Sequence, residues 1–144
     1  YVVTGDGELD EGSNWEGLMP IRHYNLTNCI TIVDRNHCMI DGNTEDVMKL
    51  EPLADKFVAF GFHTIVCEGN NIVSLCKAID EAHKTKDKPT VIVADTIKGV
   101  GIKLTSGNYK WHYGAIDEEM AKVAAKDLDE YSAERIARCG KEFE

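Results

Sequence analysis

The chain contains no apolar run near the roughly 20 residues a membrane-crossing helix requires, and no basic-then-apolar leader opens it, so no membrane association is expected. Clusters of positive charge are missing too. Its 16 Lys and Arg residues are scattered among 25 Asp and Glu, for a net charge of -9. Nucleic acid, whose phosphates are gripped by basic patches, is therefore not an expected partner. The five cysteines (Cys29, Cys38, Cys67, Cys76 and Cys139) are odd in number and form no CxxC pair, which argues against a zinc site or a disulfide framework. Cys29, Cys67 and Cys76 stand among apolar residues and read as reduced core thiols. There is no internal repeat, no low-complexity tract and no initiator Met. Tyr1-Val2-Val3-Thr4 reads as a chain already inside a strand, so sequence that belongs ahead of it is expected to be absent. What remains is a cytoplasmic protein of 144 residues, expected to be one domain (1–144) large enough to bury a core.

What the chain does have is a turn at the end of its first strand and a matching stretch at the end of its second. Tyr1-Val2-Val3 is β-branched and aromatic, and Gly5-Asp6-Gly7 turns the backbone at its carboxyl end. Residues 8–35 leave room for one helix and one return strand before Asn36, so the two stretches can lie at neighbouring strand ends. Asp6 and the amide oxygen of Asn36 then converge. A carboxylate with an amide oxygen suits a hard divalent cation that shares its coordination with a phosphate ester, and bare glycine amides can reach phosphate oxygens. These residues specify a metal-diphosphate site, without a reaction.

The remaining elements follow in alternation. Glu11-Gly12-Ser13-Asn14 starts a helix with Ser13 or Asn14 as cap, and Pro20 should kink or restart it. Cys29 to Val33 is the continuous apolar run of a buried parallel strand, ended by Asp34. A loop crosses to Gly42, and Thr44 caps the next helix; Leu53, Phe57 and Val58 follow at helical spacing until Gly61. His63 to Cys67 is a strand. Asn70 or Asn71 caps a helix with the stripe Ile72, Leu75, Cys76 and Ile79, and Pro89 opens the strand Thr90 to Asp95. A Gly-rich loop, 98–115, is long enough to be functional, and a last helix is expected over 117–139. The fold class is α/β, a parallel sheet with helices on both faces and function at the carboxyl ends of its strands.

Gly5-Asp6-Gly7-Glu8-Leu9-Asp10-Glu11-Gly12-Ser13, Asp34-Arg35-Asn36, Lys98-Gly99-Val100-Gly101-Ile102 and Trp111-His112-Tyr113-Gly114 resemble, in order and spacing, the thiamine-diphosphate-binding domain of transketolase. The resemblance runs from Tyr1 to about Ala115 and implies that fold, lacking its N-terminal part. It implies thiamine diphosphate with Mg²⁺ or Ca²⁺ as cofactors. Asp6 and Asn36 match the side-chain metal ligands, and the main-chain oxygen of Cys38 matches the third. Gly5, Asp6 and Gly7 match the diphosphate turn, with the Gly7 amide on phosphate. Lys98 matches a diphosphate contact, and His112 a catalytic position on the substrate side of the cofactor. Ile40 and Ile97 look like apolar residues against the thiazolium ring. Glu11 resembles an acidic residue at the subunit interface, between paired active sites. His23, His37, His63 and His83 have no motif around them and read as non-catalytic.

The activity implied is transfer of a two-carbon ketol unit from a ketose phosphate to an aldose, as in the pentose phosphate pathway. A pyrimidine-binding C-terminal subunit or domain would have to complete the site, in a homo- or hetero-oligomer, since none follows before Glu144. Two alternatives stand beside this one: a related enzyme such as deoxyxylulose-phosphate synthase or the α chain of a 2-oxoacid dehydrogenase, and a truncated paralogue without activity. The Gly-Glu-Leu-x-Glu-Gly and Trp-His blocks favour transketolase.

Overall fold

The computed structural model describes residues 1–142, with side chains through 138, so Glu144 and the Cys139 thiol lie outside the described residues. Four parallel strands, β1 (Val2–Gly5), β2 (Ile30–Arg35), β3 (His63–Glu68) and β4 (Thr90–Asp95), form one sheet in the order β1-β2-β4-β3. The helices are α1 (Gly12–His23), α2 (Thr44–Val47), α3 (Leu53–Ala59), α4 (Ile72–Lys84) and α5 (Glu118–Glu142). Among the described residues no helix is long and apolar enough to cross a membrane.

Strand alternation divides the core in two. On one face Val33, Val91 and Val93 meet Leu18 of α1 and Leu53 and Phe57 of α3, with Trp15 stacked on Phe57 at a centroid distance of 5.5 Å. On the other, Ile30 and Ile92 meet Ala78 and Ala82 of α4. Each fully buried Val, Leu, Ile or Phe contributes about 1.5–3 kcal/mol, so both clusters fasten the helices to the sheet. β4 lies between β2 and β3, and Thr90 to Ala94 are buried throughout. The expected parallel sheet with helices on both faces is what forms.

Several local expectations are corrected. α1 runs unbroken from Gly12 to His23 with Pro20 inside it. The carbonyl deprived of a partner belongs to Glu16, which is exposed, so water can bond it. Trp15, Leu18 and Ile21, on both sides of the proline, anchor the helix to the core. Neither Ser13 nor Asn14 caps it: Glu11 is the N-cap residue, and the Asn14 side-chain Nδ2 donates instead to the Glu8 carbonyl at 2.6 Å. The 3-10 turn Gly7–Asp10 feeds directly into α1 and moves its start upstream. β2 continues one residue past Asp34, to Arg35, because its pairing with β4 reaches Asp95. Thr44 is the first residue of α2, and Asn43 is the N-cap. On α4 the cap is Asn71, whose side chain accepts from the Val73 and Ser74 amides; Ile72 and Cys76 are exposed, and the buried face passes through Ala78 and Ala82.

Candidate functional site

The site begins with the residue after β1. The Asp6 amide donates to the Asp34 carbonyl at 3.1 Å, which extends the sheet by one bond and turns the Asp6 carboxylate into the crevice between the ends of β1 and β2. That carboxylate is wholly buried. Its Oδ1 accepts from the Gly7 amide at 2.8 Å, and its Oδ2 accepts from the His37 amide at 2.7 Å and from Arg35 Nη1 at 2.8 Å. An ionised, buried carboxylate is thereby compensated by charge-assisted bonds.

Asn36 follows β2. Its Oδ1 accepts from the Cys38 amide at 3.1 Å, and its Nδ2 donates to Asp34 Oδ2 at 3.2 Å. Asp34 is itself fixed by the Thr96 hydroxyl. The loop beyond is a small hairpin: Cys38 pairs with Asn43, Met39 donates to the Gly42 carbonyl and Thr44 to the His37 carbonyl. His37 enters it with φ +62°, a left-handed conformation, and its ring bonds Asp95 at 2.7 Å. Gly7 lies against this hairpin. A Cβ at position 7 would sit 2.8 Å from the Met39 Cβ, closer than two carbons can approach, whereas one at Gly5 would meet nothing within 4 Å.

A cleft of about 420 Å³ results, lined by Gly5, Asp6 and Gly7 from the first turn, Glu8 from the 3-10 turn and Glu11 at the N-cap of α1, Asn36, Cys38 and Ile40 from the hairpin, and Lys98 and His112 from the long loop. These residues come from three separate stretches of chain, 5–11, 36–41 and the loop 98–115, and the crevice brings them together. Ile97 is the exception. It lines a neighbouring cleft of about 490 Å³ with Asp34, Asn70 and Thr96, and Asn36 and Lys98 border both. Ile40 and Ile97 are both more than half exposed.

Arg35 has no role assigned by the sequence motif that contains it, yet it is 2% exposed and binds Asp6, Thr44, Glu45 and Glu51. The signal is present in the strand's alternation: Thr31, Val33 and Arg35 share one face, and a charge that continues a buried face must find partners. Burial alone would lower its pKa; the hydrogen bonds to Asp6 and Glu51 outweigh it and hold Arg35 above its ordinary value. The Leu53 amide is the main cause that draws the Glu51 carboxyl down, partial burial opposes it, and Arg35 adds to the lowering. Burial pushes the Cys38 thiol up, against the nearby positive charge of Lys98. Cys38 can thus offer its main-chain oxygen while its side chain stays a neutral thiol.

The residues present fit a cation bound to a diphosphate. Among the described residues no three His, Cys, Asp or Glu side chains gather into a metal cluster. A cation here would draw on one carboxylate, one amide oxygen and the main chain, and would need phosphate oxygens for the rest. The close approach at Gly7 keeps a side chain off the turn whose amides would meet those oxygens.

A parallel α/β sheet with a crevice outside the carboxyl ends of adjacent strands places the chain in the class of α/β proteins that take a ligand at that edge. The family described as transketolase, thiamine diphosphate binding domain, matches residues 1–133, and the chain belongs to it. It is 39% identical over 128 residues to one subunit of an apulose-4-phosphate transketolase from Actinobacillus succinogenes, covering 89% of this chain and 46% of that protein. To a 6-deoxy-6-sulfo-D-fructose transketolase subunit from a Clostridium species it is 38% identical over 133 residues, 92% of this chain and 48% of that one. The crystal structure of transketolase from Campylobacter jejuni superposes with a TM-score of 0.80 at 30% identity, over 88% of this chain and 20% of that chain. The chain spans about half the length of the curated relatives it matches.

Proposed function

We propose that residues 1–144 form a single diphosphate-binding domain that supplies the metal-diphosphate half of a transketolase site. The observation that carries this reading is the shared cleft of Asp6 and Asn36 at the ends of β1 and β2, faced by Lys98 and His112. Asp6, Asn36 and the Cys38 carbonyl hold Mg²⁺ or Ca²⁺. The Gly7 amide and the Lys98 ammonium bind diphosphate oxygens; Lys98 neutralises their charge. Ile40 offers an apolar wall beside the cofactor, and Ile97 a second one from the neighbouring cleft. Thiamine diphosphate, when bound, supplies the nucleophilic carbon on which a two-carbon ketol unit is carried. His112, at the rim, donates a hydrogen bond to substrate oxygen or passes a proton near neutral pH.

Glu11, at the mouth of the cleft, faces a second subunit. The partner supplies the pyrimidine-binding half, as a separate polypeptide or a further domain, and the substrates are sugar phosphates. Support for a partner comes from the relatives' names, which call them subunits. Titration calorimetry with thiamine diphosphate and Mg²⁺ tests the binding half of the proposal. The wild-type chain is expected to bind, and Asp6→Ala to lose all measurable affinity; unchanged affinity in that variant removes Asp6 as a ligand. Ketol transfer should appear only after a pyrimidine-binding partner is mixed in.

A further inference from the structure

Arg35 is the last residue of β2, and its guanidinium carries five N–H donors. All five are bonded. Nη1 donates to Asp6 Oδ2 at 2.8 Å and to the Thr44 hydroxyl at 2.6 Å. Nη2 donates to Glu45 Oε1 at 2.9 Å and to Glu51 Oε1 at 3.0 Å, and Nε to that same Glu51 oxygen at 3.2 Å. The acceptors belong to three places in the chain: the turn after β1, the start of α2, and the link into α3. Asp6 alone among them lines the cleft.

We propose that Arg35 is a positioning residue for the cofactor site: it orients the Asp6 carboxylate and, through Thr44, Glu45 and Glu51, closes the base of the hairpin that presents Asn36, Cys38 and Ile40. This inference rests on the metal-diphosphate reading above and adds a residue to it. Two features make the link specific. Asp6 Oδ2 is filled by Arg35 and the His37 amide, while Oδ1 accepts only the Gly7 amide, so the lone-pair capacity left for a cation is on Oδ1. And the Leu50 amide donates to the same Glu45 oxygen that Arg35 binds, at 3.1 Å, which carries the network to the far end of the 44–50 segment. A lysine has three donors in no fixed fork and cannot span these acceptors together.

The test uses the 144-residue chain and Arg35→Lys, which keeps the charge and removes the fork. Amide hydrogen exchange of the ligand-free protein reads the clasp directly, because the His37 amide bonds Asp6 and the Leu50 amide bonds Glu45. In Arg35→Lys both should exchange at least tenfold faster, while Val91 and Ile92 in the central strand keep their wild-type rates. Calorimetric affinity for Mg²⁺ with thiamine diphosphate should fall at least tenfold. Ala82→Gly, on the opposite face of the sheet, is the control for plain destabilisation and should lower the melting temperature with affinity within threefold of wild type. An Arg35→Lys chain whose affinity stays within threefold overturns the positioning role even if exchange is faster. So does an equal loss of affinity in Ala82→Gly. Should the wild-type chain itself fail to bind the cofactor, the functional reading falls; the orientation of Asp6 by Arg35 is then decided by the His37 amide alone, and a wild-type rate there in Arg35→Lys overturns it.

Discussion

Gly5 and Gly7 flank the same aspartate and look alike in the sequence, but their surroundings give opposite expectations. An alanine at position 7 brings its Cβ to 2.8 Å from the Met39 Cβ, and at position 5 the added methyl meets open space. Gly7→Ala must push the hairpin away from the turn, and overpacking of this kind costs about 1–3 kcal/mol. Calorimetry with thiamine diphosphate and Mg²⁺ should show at least a tenfold weaker affinity for Gly7→Ala and a change below threefold for Gly5→Ala. Equal losses would mean that the amides, and not the contact with Met39, set the requirement for glycine. At this scale the sequence is readable for residues whose type declares their chemistry: Asp6, Asn36, Lys98 and His112 reach one cleft. For Arg35 the alternation of its strand marks a buried charge but not its partners, and on Thr44 the sequence is silent, because its bond to Arg35 at 2.6 Å is one that no local pattern encodes. Local pattern makes Thr44 the cap of its own helix, and its hydroxyl serves the arginine instead.

Among the elements, α1 departs furthest from expectation. Its proline ought to break it, because an interior Pro costs about 3 kcal/mol in a helix. Tertiary contacts override that cost: Trp15 stacks on Phe57 and its indole donates to the Leu9 carbonyl at 2.7 Å, and Ile21 packs on the core beyond the proline. Pro20→Ala should therefore stabilise the chain by roughly 2–3 kcal/mol, after subtracting up to about 1 kcal/mol for the extra freedom of the unfolded chain. Urea denaturation measures the gain, and a loss of stability would show that the Pro20 ring makes contacts worth more than a helix bond. Strand limits are readable to within two residues, since continuous β-branched runs between Gly, Pro and Asn mark them well. The exposed and buried sides of α4 are not. Apolar residues at helical spacing point to Ile72 and Cys76, but the residues buried against Ile30 and Ile92 are Ala78 and Ala82. The long loop 98–115 is held from behind by α5, where the buried Asp127 accepts from the Lys103 amide at 2.9 Å. That contact joins residues too far apart in the chain for any periodicity to reveal.

For the molecule as a whole, the network around Arg35 makes folding sensitive to acid. The Glu51 carboxyl is held below its ordinary value of 4.5 by the Leu53 amide and by Arg35. A carboxyl with a depressed folded pKa contributes stability that is complete above the unfolded value and disappears as pH falls through the folded one. Glu51 is about half exposed, so its share is below about 1 kcal/mol. Melting temperatures of wild type and Glu51→Gln should differ at pH 7 and converge as the pH drops below about 4. A gap that persists at pH 3 would trace the effect to shape rather than charge.

The strand order carries a consequence for the way the chain assembles. β2 and β3 each pair with β4 and never with one another, although β4 is the last strand to appear in the sequence. Until residue 95 is available, the early half has two docking edges and nothing to bridge them, and the cost of closing the intervening segments goes unreturned. A nascent polypeptide ending before Thr90 should therefore show no cooperative unfolding transition, and one ending after Asp95 should gain it, as stepwise truncations followed by circular dichroism would register. Folding in this domain waits for its middle to arrive last.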